Sequence, residues 1–274
     1  MDKFIKIATG VHVRSDFVDC FKKLGLENMD CIFSFSKGKN LTKDNLAEFR
    51  QRIMFDTVNP MAVLFLKRYQ NIPKSGQIKN WLCRRKRISA MACDLEPAEN
   101  LKKLGINTPE IIAFGEQWSG LFEKRSFIIT GKIPDSVSLE EKIPEGFYRS
   151  RKIFIENLAE FVQKFHETGC RHRDLYLCHI FYNPQGQFTL IDLNRVFKPI
   201  IFSRKYRIKD LAQLYYSAPG RIFTKTDRLC FFLAYLQKNR LSKKDKIVIR
   251  KIKSKAQQMA KHDKKHGRNA PFER

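Results

Sequence analysis

Cys170-Arg171-His172-Arg173-Asp174-Leu175-Tyr176-Leu177-Cys178-His179 is the stretch that decides the reading of this chain, together with Phe188-Thr189-Leu190-Ile191-Asp192-Leu193-Asn194 a little further on. Between the two lies Asn183-Pro184-Gln185-Gly186-Gln187, a turn with its breakers in place. The order is therefore loop, strand, turn, strand, and then a carboxylate. Asp174 and Asp192 stand eighteen residues apart, and Asp192 closes an apolar run.

His172-Arg173-Asp174 has the form of a kinase catalytic loop, and His179 stands five residues after its Asp, where protein kinases place a metal-binding Asn. Phosphoryl transfer asks the protein for positioning and charge neutralisation more than for covalent chemistry. In this reading Asp174 orients the attacking hydroxyl and accepts its proton. Asp192 holds Mg²⁺ against the nucleotide phosphates, since a hard cation favours carboxylate oxygen. A chance His-Arg-Asp tripeptide is the bland alternative, and the spacing to Asp192 argues against it. A zinc site from Cys170, His172, Cys178 and His179 is a second alternative, but these residues lack the paired C-x-x-C spacing of structural zinc sites.

The whole chain sets the outer bounds. Its 274 residues suit one two-lobed domain or two small ones, and 43% hydrophobic residues with 23 Phe supply a sizeable core. Lys and Arg number 53 against 28 Asp and Glu, a net charge of +25, which implies an anionic partner: membrane surface, anionic glycolipid or nucleic acid. Seven irregularly spaced Cys and no secretion signal point to reduced thiols in a cytosol. No apolar run reaches the roughly 18 residues of a spanning helix, so a soluble or membrane-peripheral protein is expected.

Toward the N-terminus, residues 16–24 read as a short helix with Phe17, Cys20 and Phe21 on one face, and Cys31 to Ser36 alternate like a strand. Lys37-Gly38-Lys39-Asn40 reads as a turn near where a kinase would carry its glycine-rich phosphate loop, yet no G-x-G-x-x-G occurs there. Residues 49–55 and 62–69 read as strands. In the second, alternation puts Lys67 on the face of Val63 and Phe65, and a lysine on an apolar face needs an anionic partner. Arg84-Arg85-Lys86-Arg87 is either a solvated face or a contact for an anionic acceptor. The helix expected to end at Gly105 offers two acids as partners for Lys67. Asp94 serves if the helix runs through Pro97, and Glu99 serves if Pro97 is its first residue. Residues 151–168 form a helix whose core face carries Ile155, Leu158, Val162 and Phe165. Asp210 is expected to open a helix, either as support for residues 172–174 or as an acid favoured by the helix N-terminus. Residues 243–274 hold twelve Lys and Arg against Asp245, Asp263 and Glu273, with helical spacing first and disorder expected from His262 onward.

His-Arg-Asp-x-Tyr-x-Cys-His with a later Ile-Asp-Leu-x-Arg resembles the lipopolysaccharide kinases of the Kdo/WaaP family, over residues of about 24 to 236. The resemblance implies a protein-kinase-like fold and ATP-dependent phosphorylation of a sugar hydroxyl. It places the ATP-contacting lysine at Lys67, the acid that steadies it at Asp94, and a loop-anchoring acid at Asp210. It also accounts for two departures from protein kinases: Tyr176 where they carry Lys, and Leu193-Asn194 where they carry Phe-Gly.

The expectation is thus an α+β, two-lobed, protein-kinase-like fold with a β-rich N-lobe over residues 1–130, a helical C-lobe over 131–242 and a basic helix and tail over 243–274. Asp174 is the catalytic group, with Arg195 neutralising transferring charge. Asp192 and His179 are the metal positions, and Lys67 with Asp94 or Glu99 serves the ATP. The cofactors are ATP and Mg²⁺. The acceptor is a heptose or Kdo of the lipopolysaccharide core or another lipid-linked sugar. The location is cytoplasmic, peripheral at the inner face of the inner membrane, on an anionic membrane surface, and no specific nucleic acid is expected. A protein kinase for acidic substrates, or a non-catalytic module of the same fold that holds anionic lipid or nucleic acid, are the alternatives.

Overall fold

A computed structural model of the chain describes residues 3–42, 48–58, 60–146, 150–267 and 271. It divides into two compact units: Met1–Glu99 with Pro109–Ile133, and Asn100–Thr108 with Pro134–Arg274. Among the described residues the first unit contains β1 (Phe4–Ala8), β2 (Val11–Arg14), α1 (Val18–Lys23), α2 (Met29–Ser34), β3 (Lys39–Asn40), β4 (Arg50–Val58), β5 (Met61–Gln70) and α3 (Lys74–Arg84). It continues with α4 (Ala92–Lys103), whose last turn groups with the second unit, and then β6 (Ile111–Ser119) and β7 (Phe122–Gly131). The strands make one antiparallel sheet in the order β1-β2-β6-β7-β5-β4-β3.

Strand alternation sorts β5 between two cores. Leu64 and Leu66 join Phe17, Phe21, Ile32, Phe127 and Ile129 on the face covered by α1 and α2. Tyr69 joins Met91, Leu95 and Ile128 on the face covered by α4. Arg68 falls on the α2 side and Lys67 on the α4 side, so adjacent cations serve opposite faces.

Two local expectations give way here. Residues 31–36 are not a strand. Asn28 caps α2 by accepting from the Cys31 amide at 2.9 Å, and Met29 and Ile32, three residues apart, are the buried pair. The helix end is completed from outside: Arg68 Nη1 donates to the carbonyls of Ile32 (3.0 Å), Phe33 (2.5 Å) and Phe35 (2.9 Å). That service comes from 33 to 36 residues away, which a local pattern does not show. Lys39 and Asn40 are likewise strand, paired with Met54 and Ile53. Gly38 sits at φ +112°, with the Met54 carbonyl oxygen occupying the space a Cβ would need, so only glycine fits. Part of the connection that follows β3, residues 43–47, lies outside the described residues.

Pro97 stands inside α4 rather than at its start. Its missing N–H would have bonded the Cys93 carbonyl. Arg84 Nη2 reaches that carbonyl at 3.4 Å. The basic run has other local partners as well: Lys86 pairs with Glu96 at 2.5 Å, and Arg87 donates to the Gly120 carbonyl at 2.9 Å while lying 4.0 Å over Trp118.

The second unit contains β8 (Val137–Ser138), α5 (Leu139–Glu145), α6 (Arg151–Glu167), β9 (Ile180–Tyr182), β10 (Phe188–Leu190), α7 (Ser203–Ser217), α8 (Lys225–Tyr235) and α9 (Lys243–Lys265). The three strands form a small antiparallel sheet, β10-β9-β8. Residues 100–108 belong here because Asn107 extends it: its Nδ2 donates to the Phe188 carbonyl at 3.2 Å, and its carbonyl accepts from Leu190 N at 3.0 Å. The expected face of α6 is the buried one, with Ile155, Leu158, Val162 and Phe165 all inside. On α8 the buried positions are Phe232 and Tyr235, while Leu229 is 44% exposed. α9 opens with a capping box of Ser242 and Asp245 and lays Ile252, Ala256 and Ala260 inward, the two alanines beside Tyr216 of α7. It runs as helix to Lys265, so the disorder expected from His262 does not begin there.

Replacing Arg68 by Leu leaves three helix-end carbonyls without their donor. It is expected to destabilise the chain by about 2–4 kcal/mol, read as a lower thermal unfolding midpoint. An unchanged midpoint would show that Arg68 does not hold α2.

Candidate functional site

The site in the second unit is built from the loop after α6. Asp210, the eighth residue of α7 and fully buried, accepts from two consecutive loop amides: His172 N at 2.8 Å on Oδ2 and Arg173 N at 2.7 Å on Oδ1. Because α7 starts at Ser203, Asp210 lies mid-helix and does not open it. The attraction of a helix N-terminus therefore has no part in its placement. His166 Nε2 stands 3.3 Å from Asp210 Oδ2, and its Nδ1 is 2.8 Å from the Tyr235 hydroxyl. Burial pushes the pKa of His166 down and that of Tyr235 up to about 12. A neutral ring and a protonated phenol result, with Tyr235 donating to Nδ1 and Nε2–H donating to the carboxylate. The close His166–Asp210 approach is thus a hydrogen bond in a dry site, because desolvation outweighs the carboxylate's pull on the proton.

The loop so held points Asp174 at Arg195 and Gln213. Arg195 Nη1 lies 2.9 and 2.8 Å from the two carboxylate oxygens. Gln213, one turn beyond Asp210, clips the loop from the side. Its Nε2 donates to the Arg173 carbonyl at 2.8 Å and lies 3.4 Å from Asp174 Oδ1, and its Oε1 accepts from Leu175 N at 3.2 Å. Half-buried Lys209 adds a cation near Arg195 and Asp174, its pKa lowered chiefly by burial. Sequence reasoning missed Gln213 and Lys209. The available signal for Gln213 was its i, i+3 relation to Asp210.

His179 and Asp192 come together beside this loop. His179 Nδ1 is 2.8 Å from the Asp174 carbonyl, so Nδ1–H donates to that oxygen and fixes the ring's orientation. Nε2 lies 3.8 Å from Asp192 Oδ2. Asp192 follows β10 with φ +54°, and Arg173 sits at φ +69°. Left-handed backbone at non-glycine residues costs roughly 1–3 kcal/mol and concentrates at functional sites. Of the two, the Asp192 carboxylate is the donor that suits Mg²⁺, a hard ion that takes its remaining ligands from phosphates and water, whereas the His179 imidazole is a donor that Mg²⁺ does not favour. Cys170, His172, Cys178 and His179 do not form a zinc set: among the described residues no three His, Cys, Asp or Glu side chains gather for a metal.

In the first unit, Lys67 Nζ lies 3.3 Å from Asp94 Oδ1, and the Tyr69 hydroxyl donates to Asp94 Oδ2 at 2.6 Å. Asp94 is the expected acid that meets Lys67. Glu99 lies five residues further along α4, about 140° round the helix at 3.6 residues per turn, on a different face.

The first unit's sheet with its lysine and acid, and the second unit's loop and strand carboxylates, define a protein-kinase-like phosphotransferase of α+β fold. The chain belongs to the lipopolysaccharide kinase (Kdo/WaaP) family, whose sequence profile matches residues 50–235. Two relatives are lipopolysaccharide core heptose(I) kinases WaaP, from Pseudomonas aeruginosa and Escherichia coli. Each is 28% identical, over 188 and 183 residues, or 64% and 62% of this chain and 69% of each relative. The solved structure of WaaP in complex with acyl carrier protein superposes with a TM-score of 0.66 at 21% identity, covering 91% of this chain and 98% of that one. The chain is therefore a kinase of the lipopolysaccharide inner core, and membership of a kinase family carries ATP use with it. Among the described residues no helix is long and apolar enough to cross a membrane.

Asp210→Asn replaces one acceptor oxygen by a donor inside a cluster of donors. It should cost about 1.5–3 kcal/mol of stability for the charge-assisted bonds lost, and lower turnover because the loop carrying Asp174 loses its anchor. Thermal unfolding and steady-state phosphorylation check both effects. Wild-type values in both assays would contradict the anchoring role.

Proposed function

We propose that the protein transfers the γ-phosphate of ATP to a hydroxyl of a heptose or Kdo in the lipopolysaccharide inner core, with Asp174 as the group that meets the hydroxyl. The observation that carries this is the orientation of the Asp174 carboxylate by Arg195 and Gln213, on a loop whose amides end in buried Asp210. Asp174 accepts a hydrogen bond from the attacking hydroxyl and takes its proton as the transfer proceeds. Arg195, 46% exposed at its side chain, is available to swing from Asp174 toward charge that develops on the transferred group. Lys67, steadied by Asp94, contacts the nucleotide phosphates. Asp192 would hold the Mg²⁺, with the His179 ring beside it at 3.8 Å. Bound there, Mg²⁺ would supply neutralisation of phosphate charge. Tyr176, whose pKa burial raises, sits beside His179 as a neutral phenol, with Tyr216 on its other side.

Incubation with Mg-ATP and purified lipopolysaccharide core, followed by mass spectrometry, tests the reading. One added phosphate on a core sugar is expected. Asp174→Asn and Asp192→Asn should each lower turnover by orders of magnitude with unfolding midpoints unchanged. Asp94→Ala should raise the KM for ATP, and Glu99→Ala should not. Full turnover in either Asp174→Asn or Asp192→Asn would remove that residue from the mechanism. Phosphate on an acidic peptide in place of the core would favour the protein-kinase alternative.

The acceptor's location follows from its chemistry. A lipid-linked sugar is met at a membrane surface, and the cytoplasmic face of the inner membrane is where ATP is available. All ten Lys and Arg of α9 are exposed, whereas most of the run at residues 84–87 is tied to the protein. We therefore assign the electrostatic attraction to α9. Each cation near an anionic leaflet contributes about 1 kcal/mol, screened within roughly 3 Å at 1 M salt. Cosedimentation with phosphatidylglycerol vesicles should occur at low salt, weaken at high salt, and weaken at low salt when Lys251, Lys253 and Lys255 are changed to Glu. Binding indifferent to those reversals would exclude α9 as the attracting element.

A further inference from the structure

The connection between Arg195 and α7 has a property that the catalytic reading does not use. Ile200, Ile201 and Phe202 stand in a row, 68%, 64% and 66% exposed. Three consecutive large apolar side chains in water are unfavourable, and the fold does nothing to hide them. Instead it holds both ends of the loop firmly. The backbone of Phe197 pairs with that of Arg171 in both directions, at 2.9 and 3.2 Å. The Arg171 guanidinium then reaches the other end, with Nη2 2.8 Å from Ser203 Oγ and Nε 3.3 Å from the Ser203 carbonyl. Phe202 enters α7 at φ +60°, a left-handed conformation that an aromatic residue resists. Buried Arg171, the residue before His172, thus staples the two ends of the loop together.

Charge identifies the occupant. Between Asp192 and Asp210 the chain has no acid and six cations: Arg195, Lys198, Arg204, Lys205, Arg207 and Lys209. Lys198, Arg204, Lys205 and Arg207, which flank the tip, are exposed. An apolar tip flanked by cations matches the two layers of an anionic lipid surface, acyl chains beneath and phosphates above. We propose that residues 199–202 insert into an anionic bilayer and so hold the catalytic loop at the height of a lipid-linked acceptor. This rests on the acceptor reading given above. It adds to the charge of α9 a second attachment that does not vanish with salt.

Tryptophan at position 201 tests insertion directly. Ile201→Trp is mixed with phosphatidylglycerol and phosphatidylethanolamine vesicles whose acyl chains are brominated. A blue shift and strong quenching are expected, against little quenching of the wild type, which carries only Trp81 and Trp118. The triple variant Ile200→Ser, Ile201→Ser, Phe202→Ser should lose at least tenfold in vesicle affinity at fixed salt. Its unfolding midpoint and its phosphorylation of a deacylated core oligosaccharide should stay at wild-type values. An unquenched Trp at position 201, or vesicle affinity within twofold of wild type in the triple variant, overturns the proposal. If the wild type phosphorylates no core acceptor, the acceptor reading fails on its own, and quenching and affinity still decide the loop.

Discussion

The site depends on a carboxylate that never meets water. Asp210 is fully buried, and an ionised group there is tolerable only when surrounded by donors. Two of those donors are the amides of His172 and Arg173. The need to satisfy Asp210 therefore fixes the backbone immediately before Asp174, including the unfavourable φ of Arg173. Neutral His166 and the Tyr235 hydroxyl extend the same network to α6 and α8. Anchoring, strain and orientation are one arrangement, and a change at Asp210 propagates to all three.

The first unit solves a related problem differently. Strand pleating sends Lys67 and Arg68 to opposite faces of β5. Arg68 finishes the end of α2 and keeps the core on that side closed. Lys67 meets Asp94, which the Tyr69 hydroxyl steadies from the same strand face. Asp94 stays in place although Pro97 interrupts the bonding of its helix, and Arg84 covers the carbonyl that Pro97 leaves without a partner. A residue from the basic run thus supports the helix that carries the acid.

The charge of +25 is not one feature but several. Near residues 84–87 it is largely consumed by ion pairs, carbonyls and an aromatic face. On α9 it is all exposed, because Ile252, Ala256 and Ala260 turn the other side of the helix inward. Beside the catalytic loop it flanks an exposed apolar tip. Composition alone sums these three situations, which differ in what each cation is free to do.

Sequence by itself determined the family, the strand–turn–strand run into Asp192, the core face of α6 and the candidate residues Asp174, Asp192, His179 and Lys67, because those readings depend on neighbours along the chain. It left Asp94 and Glu99 open, since the choice turned on whether a helix could run through Pro97. It misread residues 31–36, where alternation suggested a strand and a distant Arg68 completes a helix. It set Asp210 at a helix start, where the true start lies seven residues earlier. It did not register Gln213 or the stapled loop at residues 197–203. Each of these was decided by hydrogen bonds between residues far apart in the chain, and such bonds exist only once tertiary packing has excluded water and made every buried polar atom find a partner.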